Sequence, residues 1–203
     1  MVIFALPAVA EEVTIAALGD SLTQGFGLSP EDGFAPQLER WLGERGQEVS
    51  ILNAGVSGDT SAGGLSRIAW TLTPEVDALI VALGGNDVLR GIDPAVTRQN
   101  LDAILKVATE RGLPVLLVGI AAPANYGPDY KQAFDATYPE LAAQHDTLLV
   151  TDFLGGIRDA APTTSEALAY MQGDGIHPNT KGVALIVEAM GPQVEALVDR
   201  VSP

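Results

Sequence analysis

The sequence predicts a single-domain α/β fold built on a parallel sheet, and three observations carry that expectation. Short β-rich apolar runs alternate with longer segments of helical period, the order expected when each helix returns the chain to one sheet. The run from Val76 to Leu83 is almost wholly apolar, as a strand buried on both faces must be. The chain has 203 residues, 47% of them apolar, which suits one core of ordinary size and leaves too little for a second.

The elements follow in order. Val13 to Leu18 reads as the first strand and ends at Gly19. Phe34, Leu38, Trp41 and Leu42 fall at helical spacing, with Gly43 and Gly46 as stop signals. Val49 to Leu52 is a second strand, and Ser61 to Leu72 a helix capped by Thr60. After the third strand, Asp93 caps a helix that has Pro94 in its first turn. Val96, Leu101, Ile104, Leu105 and Ala108 form its expected buried stripe, and Gly112 ends it. Val115 to Ile120 and Thr147 to Val150 are the last two strands, separated by a helix over residues 129–144. Val183, Ile186, Val187, Met190, Val194, Leu197 and Val198 mark a final helix, which Pro192 is expected to kink.

Composition removes several function classes. Twenty-six acidic against eleven basic residues give a formal charge of −15, which repels phosphate backbones and anionic lipid surfaces. Nucleic acid is therefore not an expected partner. There is no cysteine and there are two histidines, so neither a thiolate nucleophile nor a multi-histidine metal site is expected. The first strand is not followed by a G-x-G-x-x-G fingerprint, and Lys181 lacks the glycine loop of a Walker motif. Residues 1–10 are uniformly apolar or small and too short to span a bilayer, so no stable membrane insertion is expected. Ala8-Val9-Ala10 has the form of a signal-peptidase site, although a positively charged n-region is missing. The segment reads as a signal-peptide remnant ahead of a domain over 11–203. That places the protein in the periplasm or outside the cell, with an apolar terminus on a cytoplasmic protein as the alternative.

In parallel α/β sheets chemistry lies outside the carboxyl ends of the strands. Four loops meet that condition here, at residues 19–27, 53–58, 84–91 and 120–128, and the stretch 151–178 closes the same edge. His145 reads as a surface or helix C-terminal residue. His177 lies in Gly173-Asp174-Gly175-Ile176-His177-Pro178 just before the last helix, where Asp174 can reach its Nδ1 across one turn. Ser21, in Gly19-Asp20-Ser21-Leu22, puts a hydroxyl where the first strand ends. Gly58 can bring a bare backbone N–H close to a substrate, and Asn86 in Gly84-Gly85-Asn86-Asp87 can offer its side-chain amide. Each of these residues alone is also an ordinary turn former. No G-x-S-x-G elbow occurs anywhere in the chain.

Taken together, the four blocks are those of the SGNH (GDSL-type) hydrolases, in the right order and on the right elements. The chain resembles that superfamily along nearly its whole length after the leader. Asn53-Ala54-Gly55-Val56-Ser57-Gly58-Asp59-Thr60 and Pro123-Ala124-Asn125-Tyr126-Gly127 are similar to its bacterial thioesterase, arylesterase and lysophospholipase group. The resemblance implies a flavodoxin-like, five-stranded parallel sheet in a three-layer α/β/α sandwich, and no metal or organic cofactor. It implies Ser21 as nucleophile, His177 as base and Asp174 as its orienting acid. The oxyanion hole would be the N–H groups of Ser21 and Gly58 with the Asn86 amide. The expected partner is a small ester or thioester, with Val88, Leu89, Ile120, Ala122, Pro123 and Tyr126 as candidate walls for the acyl group. A carbohydrate acetylesterase on the same scaffold is the alternative. A non-catalytic binding domain fits poorly, since every catalytic position is filled, and a carbohydrate-binding protein would have few stacking platforms at 5% aromatic content.

Overall fold

The structure, a computed structural model, describes residues 12–201. Five parallel strands form one sheet in the order β2-β1-β3-β4-β5: β1 Val13–Gly19, β2 Val49–Gly55, β3 Ala78–Ala82, β4 Val115–Val118 and β5 Leu148–Val150. Between β1 and β2 come a short helix, α1 (Ser21–Gln24), and the longer α2 (Phe34–Gly43). Then follow α3 (Ser61–Thr71), α4 (Gly85–Leu89), α5 (Pro94–Glu110) and α6 (Pro128–His145). Two short helices, α7 (Gly155–Ala160) and α8 (Thr164–Ala167), precede the long C-terminal α9 (Thr180–Val198). The expected leader, residues 1–10, lies outside the described residues.

Strand alternation divides the interior into two cores. Ile15, Ala17, Ala78, Ile80, Leu116 and Val118 point to one face, where α2, α7 and α9 cover them. Ala16, Leu18, Leu79, Val81, Val115 and Leu117 point to the other, beneath α3, α5 and α6. That is the expected three-layer sandwich. The central β1 and β3 are buried on both faces, so their sequences carry no polar alternation.

Several element boundaries differ from expectation. β3 is shorter than Val76 to Leu83, because those two buried residues flank the pairing rather than join it. β4 stops at Val118, where the Gly119 N–H donates to the Val150 carbonyl and the chain turns away. β2 runs three residues past Leu52, so that Gly55 pairs with Gly19. Val96 is 45% exposed and does not belong to the buried stripe of α5; Thr97 lies inside instead. α9 continues through Pro192, and Gly191 beside it is packed against the Trp41 ring, where a Cβ would come within 2.5 Å.

Thr97 is inside because of a buried carboxylate. Asp87 is fully buried and accepts from the Ser61 backbone N–H at 2.8 Å, the Ser61 hydroxyl at 2.5 Å and the Thr97 hydroxyl at 3.0 Å. Asn100 Nδ2 donates in turn to Ser61 Oγ. The network ties α3, α4 and α5 together behind the loop that carries Asn86. Removing a buried acceptor strands its donors, each at about 1–3 kcal/mol. Asp87→Ala should therefore lower the unfolding free energy by about 3 kcal/mol or more in urea denaturation. A loss under about 1 kcal/mol would mean that water takes over the acceptor's role.

Candidate active site

The ends of β1, β2 and β3 lie level, since Gly19 pairs with Gly55 on one side and Ala82 on the other. Three of the candidate loops therefore leave the sheet side by side. Arg67, reaching across from α3, locks two of them: it donates to the Gly19 carbonyl at 2.8 Å and the Ala54 carbonyl at 2.6 Å, and pairs with Asp59 at 2.6 Å.

Ser21 is the first residue of α1, fixed there by its neighbour. Asp20 caps the helix, its Oδ1 accepting from the Leu22 N–H at 3.0 Å. Ser21 Oγ lies 2.9 Å from His177 Nε2, and His177 Nδ1 lies 2.6 Å from Asp174 Oδ2. A carboxylate only accepts, so the Nδ1 proton faces Asp174 and leaves the Nε2 lone pair toward the hydroxyl. Asp174 Oδ1 also accepts from the Ile176 and His177 backbone N–H groups. The His177 ring and these two amides hold the Asp174 carboxyl well below the usual carboxylate range.

The histidine-bearing loop has little regular structure, and its shape is set by cross-links. Met171 and Pro178 form an isolated antiparallel bridge, and Gln172 Nε2 donates to the Phe26 carbonyl at 2.7 Å and the Pro178 carbonyl at 2.9 Å. The Phe26 ring lies against the imidazole, with centroids 4.7 Å apart.

Gly58 has φ +83°, a conformation that side chains rarely adopt, and its carbonyl accepts from Arg90 Nη2 at 2.7 Å. Gln24 Oε1 accepts from both the backbone N–H and the hydroxyl of Ser57, joining that loop to α1. Asn86 sits near the start of α4, and its Nδ2 donates to Asp20 Oδ2 at 3.3 Å. Gly84 before it has φ +117°, and a Cβ there would collide with the buried Tyr138 hydroxyl, which donates to the Leu83 carbonyl.

All five predicted catalytic and oxyanion-hole residues, Ser21, Gly58, Asn86, Asp174 and His177, thus come together at one cleft, although Asp174 itself stands behind the imidazole. The cleft holds about 590 Å³. Of the expected walls, Val88, Leu89, Ile120 and Pro123 line it. Ala122 does not: it is 3% exposed and turned into the core under α6. Its N–H donates to Asp135 and its carbonyl accepts from Lys131, while Ala121 faces the cleft in its place. Tyr126 also stands outside the lining. Its ring lies tilted against Tyr130 with centroids 4.9 Å apart, and its hydroxyl reaches 3.4 Å toward the Leu89 carbonyl.

Sequence reasoning missed Asp20, Leu22, Phe26, Leu154, Arg158, Met171 and Ile176, all of which line the cleft. Asp20, Leu22 and Phe26 could have been found, since they share the first active-edge loop with Ser21. His145 is away from the site and more covered than expected. It closes α6 with Nε2 2.7 Å from Asp102 Oδ1, and that contact lowers the Asp102 pKa. Among the described residues no group of three or more His, Cys, Asp or Glu is placed to hold a metal, and no helix is long and apolar enough to cross a membrane.

Residues 17–185 match the family described as GDSL-like lipase/acylhydrolase. The chain belongs to that family. It is a serine esterase of the SGNH type. Esterase TesA of Pseudomonas aeruginosa is 40% identical over 186 residues, which cover 91% of this chain and 89% of the relative. Thioesterase 1/protease 1/lysophospholipase L1 of Escherichia coli is 37% identical over 92% of this chain and 85% of its own. The crystal structure of AlinE4, described as an SGNH-hydrolase family esterase, superposes with a TM-score of 0.76 at 41% identity, covering 93% of this chain and 98% of that one.

One feature of this SGNH site opposes stability. Asp20 is 3% exposed, and burial pushes its carboxyl up to about 6 despite the donors at Leu22 and Asn86. An acid with a raised folded pKa binds more protons folded than unfolded between the two values. Its ionisation therefore removes stability as pH rises from about 4 to about 6, and the deficit persists above that. Asp20→Asn carries no such charge. Relative to wild type, the variant should gain about 2–3 kcal/mol between pH 4 and pH 7 in denaturant unfolding. A difference that is flat with pH would show that Asp20 is not buried as a charge.

Proposed function

We propose that Ser21 is the nucleophile of a two-step ester hydrolysis. His177 Nε2 takes the Ser21 proton as Oγ attacks the acyl carbon, then delivers it to the departing alcohol or thiol. A water, deprotonated by the same nitrogen, splits the acyl-enzyme and returns the serine with a free acid. Asp174 keeps the imidazole in the working tautomer. The developing oxyanion is held by the backbone N–H groups of Ser21 and Gly58 and by Asn86 Nδ2, whose other proton is already committed to Asp20. The observation that carries this reading is the unbroken chain of contacts, 2.9 Å from Ser21 to His177 and 2.6 Å on to Asp174, at the mouth of a cleft.

We propose carboxylic esters and acyl thioesters of medium chain length as substrates. Val88, Leu89, Ile120 and Pro123 make an apolar wall beside Asn86, and each CH₂ buried against it contributes about 0.8 kcal/mol. The thioesterase, lysophospholipase and arylesterase names of relatives fit the same chemistry. On p-nitrophenyl esters, kcat/KM should rise from acetyl to octanoyl, and Ser21→Ala should abolish both turnover and fluorophosphonate labelling while remaining folded. Labelling that survives in the variant refutes the nucleophile. A steep preference for acetyl, with acetylated sugars the best substrates, points to a carbohydrate esterase instead.

The Ala8-Val9-Ala10 segment supports export as the setting for this activity. Protein isolated from its native host should then begin at Glu11 by intact mass. Retention of Met1 favours the cytoplasm.

A further inference from the structure

The cleft does not end at Ser21 and His177. Leu154, Arg158, Met171 and Gly175 line it and also line an adjoining groove of about 340 Å³ that runs on past α7 and α8. Four shared residues set the two depressions side by side. Beyond the junction the groove is walled mainly by Ile157, Pro162, Ala167 and Leu168.

Chemistry gives this groove a direction. The base returns its proton to the departing atom, so the alcohol or thiol leaves on the imidazole side. Gly175, two residues before His177, and Met171, bridged to Pro178 just after it, form the near wall of the groove. The acyl wall of Val88 and Leu89 lies with Asn86, on a different loop.

Arg158 stands at the junction. Its Nε is 2.7 Å from Asp152 Oδ2, which anchors the guanidinium by one edge. The side chain is 53% exposed, and neither terminal nitrogen is hydrogen-bonded among the described residues. Glu166, the acid on α8, is folded back onto Thr163 in a capping box and does not neutralise it. In a chain with eleven basic residues against twenty-six acidic ones, a guanidinium with free donors in the substrate cleft is set against the general charge. Its planar fork suits an oxyanion with two accepting oxygens.

We propose that the groove is the leaving-group subsite and that Arg158 recognises an anionic group on the departing alcohol or thiol. This rests on the esterase reading above and adds to it a specificity-determining residue: Arg158 favours esters and thioesters whose leaving part carries a phosphate, sulfonate or carboxylate. Arg158 is then a specificity residue, distinct from the proton relay.

Octanoyl esters that differ only in the leaving group test this. The selectivity ratio is kcat/KM for 4-(octanoyloxy)benzenesulfonate divided by kcat/KM for 4-nitrophenyl octanoate. It should fall about tenfold in Arg158→Gln, the scale of one charge-assisted contact, and less in Arg158→Lys, which keeps the charge and loses the fork. Octanoyl-coenzyme A and 1-octanoylglycerol 3-phosphate, run in parallel, separate a phosphate-bearing thiol from a phosphate-bearing glycerol as the natural source. A ratio unchanged in Arg158→Gln overturns the inference, whereas one lost equally in Arg158→Lys assigns recognition to the planar fork. Wild type inert on 4-nitrophenyl octanoate would refute the esterase reading itself, a result that cannot be confused with an unchanged ratio.

Discussion

Where β1 stops determines where everything else at this site can be. Gly19 is the last paired residue of a strand with neighbours on both sides, and the pairs Gly19–Gly55 and Gly19–Ala82 bring three loops off the sheet at one level. Arg67 then holds the Gly19 and Ala54 carbonyls with a single guanidinium. Two residues beyond Gly19 comes Ser21, three beyond Gly55 comes Gly58, and four beyond Ala82 comes Asn86. A slip of one residue in either pairing would reverse every side chain of the strand and remove the convergence.

Two carboxylates behind that edge behave in opposite ways. Asp87 is fully buried and satisfied by three donors from α3 and α5, so it ties helices together. Asp20 is nearly as buried, yet it has one backbone donor and one long contact to Asn86, and burial keeps its proton affinity high. Its position is explained by what it orients. An acceptor at that point sets which edge of the Asn86 amide faces it, and leaves the second amide proton available to the cleft. Local instability here accompanies pre-organisation of the site.

Much of this was legible in the sequence because strand and loop carry different signatures. The apolar run before Gly84 marks a central strand, and glycines and acids at its end mark the edge where chemistry sits. Position within a loop was harder. Ala122 and Ala121 exchange roles because β4 ends two residues before the apolar run does, and apolarity alone does not mark that turn. Val96 fits the helical stripe by spacing, but Thr97 takes the inner place because a buried Asp87, remote by ten residues, needs a donor. β2 extends through Asn53 and Ala54, whose surroundings are too open to leave an apolar trace. The groove beside Arg158 comes from residues 151–178, where short helices and turns have no sustained period to read.

The relay also has a history along the chain. Ser21 and His177 are separated by 156 positions, and the histidine arrives on a loop held by the Met171–Pro178 bridge, by Gln172 and by α9 behind it. During translation Ser21 leaves the ribosome 156 residues ahead of His177, its proposed proton acceptor. Domains complete their packing as units. A nascent chain can therefore present the proposed nucleophile well before it holds the base that would activate it. Competence arrives together with α9, the helix that completes the core beneath α2 and α7.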